Sequence, residues 1–466
     1  MANLFESINL FHIGGNSMKD NLLNTTIDRR TFLRGLGIGA AGLAAGTFTP
    51  MISTGSSKKF SWTMAKGDKT SYIGLKSSPE EFWASLVPEF EKKTGISVKF
   101  EAFEQAQARQ KIATELTAGM GSLNTFRTTR GQDFAQYGRN GWYEPLDSFI
   151  NNPDLLAPDF DLKDFFEGSL AACTLSGQII ALPVTNGGQF MFIRKDLLEA
   201  KGLEIPKNFE ELEEVAKALH DPPNVYGFTC RGQKSAAVSM FAAFLHNFGG
   251  DYMGEDGKTA SLDTSEAIAA YKYYGGLLKN YGPPGVTNMS HVELLPLFQQ
   301  GKSAIYCDDL SFRGKFEDPK SSRVVGKVAY AKFPAGPKRN TPTIYVYGMA
   351  ISSQSKHKLP SWLWIQFLAS KEIQIKALKL GISAGRKSAW ENSEAIGTAP
   401  KDWVDTARWT FASGDDEWAP PVISVPEARD IAGSPITVAI EGGDVAEAAK
   451  KANKELTALA KRDGVI

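Results

Sequence analysis

Cysteine is almost missing from this sequence. Only Cys173, Cys230 and Cys307 stand among 466 residues, and none lies in a CxxC or in a cysteine–histidine cluster with zinc spacing. A disulfide framework and a structural zinc site are therefore excluded as what holds the fold together. The three thiols read as small buried apolar residues. Net charge is missing too: 52 Lys and Arg stand against 52 Asp and Glu. That balance removes the basic excess that phosphate contacts need, so nucleic acid is not an expected partner. Histidine is sparse, and the five (His12, His220, His246, His291 and His357) are dispersed. HExxH does not occur, and there is no phosphate-cradling P-loop. No cofactor, metal or catalytic residue is expected, and an enzyme is not the reading. A pair of carboxylates for glycoside hydrolysis can be drawn anywhere from 52 acids and so argues nothing. No repeat of fixed period appears, which excludes a solenoid or propeller.

Hydrophobic residues make up 42% and charged residues 22%, a normal globular mix on a chain long enough for two or three domains. The N-terminal region carries Asp28-Arg29-Arg30-Thr31-Phe32-Leu33-Arg34, then an uncharged stretch from Gly35 to Phe48 rich in glycine and alanine. That stretch is too short and too weakly apolar for a membrane span of ~20 residues, and it fits the h-region of a signal peptide. The paired arginines before Phe32-Leu33 resemble the twin-arginine export signature, with Asp28 where Ser or Thr is usual. The resemblance makes Arg29 and Arg30 the export signal. It also implies the twin-arginine translocase as a partner, carrying a chain that is already folded. Residues 1–57 are assigned to an N-terminal extension and this signal, with Met18 an alternative start. No cysteine follows the h-region, so the expected product is periplasmic and not lipid-anchored.

From about Lys58 short apolar runs alternate with amphipathic stretches, the pattern of α/β layering. Ile96 to Phe100 reads as a strand. Phe209 to Leu219 places Leu212, Val215, Ala216 and Leu219 on one helical face, with Asn208 and Glu211 as a capping box. Asp263 and Glu266 predict a second box, and Pro360 suits the first turn of a helix carrying Trp362, Ile365, Phe367 and Leu368.

Five blocks then occur in order: FEKKTGISVKFE (90–101), RNGWYEPLDSFI (139–150), FMFIRKDLLEAKGLEIPKNFEELEEVAKAL (190–219), NFGGDYMGEDGKTASLDTSEAIAAYKYYGGLLKN (247–280) with FQQGKSAIY (298–306), and WLWIQFLASKEIQIKALKLG (362–381) followed by Arg386. Together they resemble the sugar-type family 1 of extracellular solute-binding proteins, the maltose-binding-protein-like group. The resemblance implies an α/β periplasmic-binding-protein fold: two α/β lobes joined by a multi-strand hinge, with the ligand cleft between them. It places residues 58–182 and 345–395 in the first lobe and 183–344 and 396–466 in the second. It implies the substrate-binding component of an ABC importer, with a sugar or polyol as ligand and the permease subunits as partners.

Open α/β sheets bind ligands beyond the carboxyl ends of their strands. The residues following apparent strands are Arg127 and Arg130, Thr185 and Asn186, Arg231 and Gln233, and Asp308 and Asp309. Tyr345 and Tyr347 lie on the returning strand. Charged and amide groups can replace the water that a sugar's hydroxyls leave, and aromatic faces suit its C–H surface. Each residue also has a plain structural reading, as a surface charge, an ion pair, a helix cap or hinge packing. Ile193-Arg194 and Asp308-Asp309-Leu310 depart from the family pattern and bring charge toward the cleft. An acidic sugar or other polar solute therefore stays open as the ligand, as does a sensor role on the same fold; a secreted glycosidase stands behind both.

Overall fold

The computed structural model describes residues 59–466 apart from Thr398; Arg29, Arg30 and the rest of the expected export signal lie outside the described residues. Strand β1 (Lys69–Leu75) is buried through its middle, as a parallel strand covered on both faces must be. It pairs in parallel with β2 (Ser97–Phe103) and β3 (Thr125–Thr128). A small hairpin of β4 (Thr174–Leu175) and β5 (Gln178–Ile179) precedes the long β6 (Ala181–Arg194). There follow β7 (Tyr226–Thr229), β8 (Ser303–Asp309), β9 (Val328–Ala331) and β10 (Ile344–Ile351). The main sheet runs β2-β1-β3-β10-β6-β8-β7, with β9 also on β6.

The joint of this sheet is β6. Its first part, Ala181 to Gly188, pairs antiparallel with β10; its last part, from Gln189, pairs with β8 and β9. One strand thus belongs to both halves, and all of it is buried. Strand β10 continues the joint by pairing with β3 as well. The β10–β6 ladder shifts register between Tyr347 and Gly348, and such a bulge adds local twist. Two α/β halves joined by strands is the architecture the sequence led us to expect.

Ten helices matter below: α1 (Ser78–Ser85), α2 (Gln105–Ala118), α3 (Arg130–Arg139), α4 (Phe209–Leu219), α5 (Lys234–Asn247), α6 (Ser265–Tyr281), α7 (Lys358–Leu368), α8 (Lys401–Ser413), α9 (Val425–Glu441) and α10 (Val445–Arg462). Helix α4 has the predicted bounds, and the Asn208 side chain accepts the Glu211 N–H. At α6 the cap is one residue later than expected: Thr264, not Asp263, accepts the Ala267 N–H. Helix α5 is buried all round from Ala237 onward, the mark of a helix inside a core rather than on a surface. It packs with Tyr271 and Tyr274 of α6 in one apolar cluster. Trp83, Phe90, Trp362 and Trp364 centre another around β1 and α7. A third runs across the joint, from Phe126 and Tyr143 to Phe192, Tyr306 and Trp403. Cys173, Cys230 and Cys307 are free and buried.

Two strand ends differ from the sequence reading. Strand β6 does not stop at Val184 but continues through Thr185, Asn186 and the two glycines after them. Asn-Gly-Gly reads as a turn, yet β10 supplies partners on one side, and the Asp309 carboxylate accepts the Gly188 N–H at 3.1 Å on the other. Glycine is required here for contact rather than turning: a Cβ on Gly187 would lie 2.5 Å from Asp309 Oδ2. Strand β3 likewise extends to Thr128, so Arg127 is on the strand and Arg130 opens α3.

Candidate ligand-binding cleft

The candidate residues converge on the joint. Tyr345 and Tyr347, two apart on β10, sit opposite Gly187 and Thr185 of β6 and share one face of the strand. From the β3 side comes Arg127, whose guanidinium lies 3.9 Å from the centre of the Tyr347 ring in a cation–π contact. Its Nη1 donates to Glu80 Oε1 of α1 at 2.6 Å. Burial works against the Arg127 charge, and Glu80 more than offsets it. Tyr72 and Ser77 also donate to Glu80. Arg127, Thr128, Thr129, Asp133 and Tyr347, with Arg109 and Ile112 of α2, line a cavity of about 20 Å³. Burial pushes the Asp133 carboxyl up, against the pull of Arg109 and a hydrogen bond from the Thr129 N–H.

From the β7–β8 side comes a forked ion pair. Arg231, just past β7, donates through Nε and Nη2 to Asp308 at 2.9 and 2.5 Å. Asp308 is fully buried, and it also accepts the Tyr306 hydroxyl and the Asp309 N–H, each at 2.8 Å. Asp309 accepts Ser311 N–H at 2.9 Å as the cap of a short 3-10 turn; burial raises its carboxyl despite that bond. Gln233 is the exposed residue before α5, with no side-chain cap bond. Tyr345 donates to Ser239 O of α5 at 3.1 Å. Thr185 donates to Ser383 O and the Asn186 amide to Ser169. Asn186 Oδ1 is buried without a partner among the described residues.

The loop after α8 supplies residues that sequence reasoning missed. Arg130 forms an ion pair with Asp416, Nε to Oδ2 at 2.7 Å, and its Nη2 donates to Ala171 O and Thr174 O. Trp418 meets Tyr345 edge to face at 5.8 Å. It lies so close over α3 that a Cβ on Gly131 would stand 2.5 Å from the indole. Arg429 of α9 has its guanidinium 5.5 Å from the Trp418 ring centre and donates Nε to Ser235 O. Glu417 is exposed, yet the walls around it and then Asp415, Asp251 and Asp416 push its carboxyl up to about 8. The missed signal is the run Gly414-Asp415-Asp416-Glu417-Trp418-Ala419-Pro420: a tryptophan between breakers, beside three acids, has no helix or strand face to bury it. Arg194, by contrast, is not at this site. It sits at the far end of β6 and forks onto Asp196 at 2.7 and 2.6 Å, so it adds no charge to the cleft.

The arrangement offers donors, acceptors and aromatic faces to a hydroxylated molecule. Among the described residues no group of three or more His, Cys, Asp or Glu side chains is placed to hold a metal ion, and no helix is long and apolar enough to cross a membrane.

The model of the bacterial extracellular solute-binding protein family matches residues 76–375. An erythritol/L-threitol-binding protein of Mycolicibacterium smegmatis is 25% identical over 431 residues, covering 85% of this chain and 90% of that one. A mannitol-binding protein of Pseudomonas aeruginosa is 28% identical over 275 residues, covering 58% of this chain and 61% of its own. A solute-binding protein of an ABC transporter from Agrobacterium radiobacter K84, solved with ribitol, superposes with a TM-score of 0.73 at 26% identity, covering 84% of this chain and 99% of that one.

Proposed function

We propose, from the premise that the chain belongs to the bacterial extracellular solute-binding proteins, that it captures a polyol between its two halves and delivers it to an ABC permease. Its three relatives named above bind erythritol or threitol, mannitol and ribitol. They are binding proteins, and this chain is read as one that releases its ligand unchanged.

The observation that carries the reading is the convergence at Tyr345 and Tyr347. Arg127 and Arg130 reach it from one half, Arg231, Asp308 and Asp309 from the other, and Trp418 lies between them. A linear polyol presents a hydroxyl on every carbon and C–H surface between. Forked guanidiniums and carboxylates serve the first, and the rings of Tyr345, Tyr347 and Trp418 serve the second. Arg231 still has Nη1 free of any partner among the described residues, and Gln233 is exposed beside it. Thr185 and Asn186 direct their donors at neighbouring loops, which leaves Asn186 Oδ1 as the ligand acceptor on that strand.

The candidate contacts come from both halves, so the halves open about β6 and β10 to load, and ligand bridging both favours the closed form. On β6 the halves meet between Gly188 and Gln189, where its partner changes from β10 to β8. The protein acts in the periplasm, free of a lipid anchor, after export directed by Arg29 and Arg30.

Thermal-shift measurement with erythritol, L-threitol, ribitol and D-mannitol tests the reading. A ligand at 100 times its Kd adds ~2.7 kcal/mol, so at least one alditol raises the Tm by several degrees. A panel in which neither these alditols nor their acid derivatives move the Tm overturns it.

A further inference from the structure

Five arginines stand around the joint, and three are matched. Arg127 has Glu80, Arg130 has Asp416 and Arg231 has Asp308, all within 3 Å. Arg109 and Arg429 have no carboxylate within ion-pair distance among the described residues. Arg109 forms no hydrogen bond there either, and it lines the cavity against Tyr347. Arg429 lies over Trp418 and donates only Nε, leaving the two Nη groups free. The two come from helices on opposite sides of the joint, α2 and α9. A guanidinium so placed is a fork of donors without an acceptor, and its natural complement is a planar anion.

We propose that Arg109 and Arg429 together hold the carboxylate of a polyhydroxy acid, so that the ligand is an aldonate: hydroxylated along its length and anionic at one end. The inference rests on the polyol reading above and narrows it. The electrostatics agree. Burial lowers the Arg429 pKa, and repulsion from Arg231 and Arg109 lowers it further; a bound carboxylate relieves that repulsion. The acids nearby are committed or turned elsewhere. Asp133, the carboxylate that shares the cavity with Arg109, accepts the Thr129 N–H at 2.9 Å. Asp416 is on Arg130. Burial and then Asp415, Asp251 and Asp416 push the Glu417 carboxyl up to about 8, so it is no counter-charge for either arginine. A neutral alditol leaves both arginines unmatched when the cleft closes over it, and a desolvated, unpaired charge is expensive.

Calorimetric titration with three matched pairs decides it: D-ribonate against ribitol, D-mannonate against D-mannitol, and D-gluconate against D-glucitol, each at low and high salt. The expected result is one aldonate bound about 100-fold more tightly than its alditol, with a preference that shrinks at high salt. In the Arg109→Gln plus Arg429→Gln variant that preference falls to about threefold or less. Melting of the ligand-free variant is the control for folding; the lost Arg429–Ser235 bond and Trp418 contact oppose the removal of two unmatched charges, so it should stay close to the parent. An alditol that binds as tightly as its aldonate overturns the inference and leaves the polyol reading standing. A double variant that melts like the parent and keeps the full preference also overturns it. If no aldonate and no alditol binds, the polyol reading falls and this inference with it.

Discussion

Removing Arg231 should unfold more than it unbinds. Asp308 is fully buried, and the forked guanidinium is its only counter-charge within 4 Å among the described residues. Arg231→Ala strands that carboxylate. Breaking one side of a buried pair costs ~3–5 kcal/mol; the Tyr306 hydroxyl and Asp309 N–H remain as donors, which places this case near ~3 kcal/mol. With an unfolding entropy of ~2.1 cal/mol/K per residue over roughly 400 residues, ~3 kcal/mol reads as a fall of ~3–4 °C in the Tm of the free protein. The assay is calorimetric melting of three forms: parent, Arg231→Ala, and Arg231→Ala with Asp308→Asn. Asparagine removes the stranded charge, so the double variant should melt above the single one. A single variant within about 1 °C of the parent, or a double variant below the single, refutes the reasoning. Titrating a polyol into the same forms isolates the share of Arg231 that belongs to ligand, through its free Nη1.

Three further outcomes are expected. Gly131→Ala drives a Cβ to 2.5 Å from the Trp418 indole; displacing that ring should weaken polyol binding by roughly 5- to 100-fold and alter tryptophan emission, and unchanged affinity and emission would falsify the placement. Glu417 has a folded-state carboxyl raised to about 8, against ~4.3 unfolded, so ionising it opposes folding as pH rises through that window; Glu417→Gln should match the parent in Tm at pH ~4 and exceed it increasingly up to pH ~8, and a gap that does not grow with pH counts against the buried-wall account. Arg29→Lys with Arg30→Lys should leave the precursor in the cytoplasm on fractionation, and normal export of that variant would remove the twin-arginine reading.

Much of the fold was legible because it is written in short-range patterns. The face of α4, its Asn208 cap and the five family blocks all depend on residues a few positions apart, and the family they resemble is the one whose model matches. The failures have one cause. Asn186-Gly187-Gly188 carries the local signs of a turn, but its partners are Asp309 and β10, more than a hundred residues away in sequence. Trp418 was invisible for the same reason: its contacts are Gly131 and Tyr345. At the cleft, residue types pointed to polar recognition. Which charge met which did not follow from them, since Arg231 neighbours Asp308 only through the β7–β8 register.

The shared strand also sets an order in time. Strand β10 fills the slot between β3 and β6, so until residue 351 has been made the first half of the sheet has a gap and two unpaired edges. Open edges recruit other chains, and contacts spanning such sequence distances form slowly. The second half has all its strands by Ala331, but the first cannot close its sheet until β10 arrives. A chain built this way suits folding in the compartment of synthesis, among chaperones, before any crossing, which is the cargo the twin-arginine route proposed above accepts.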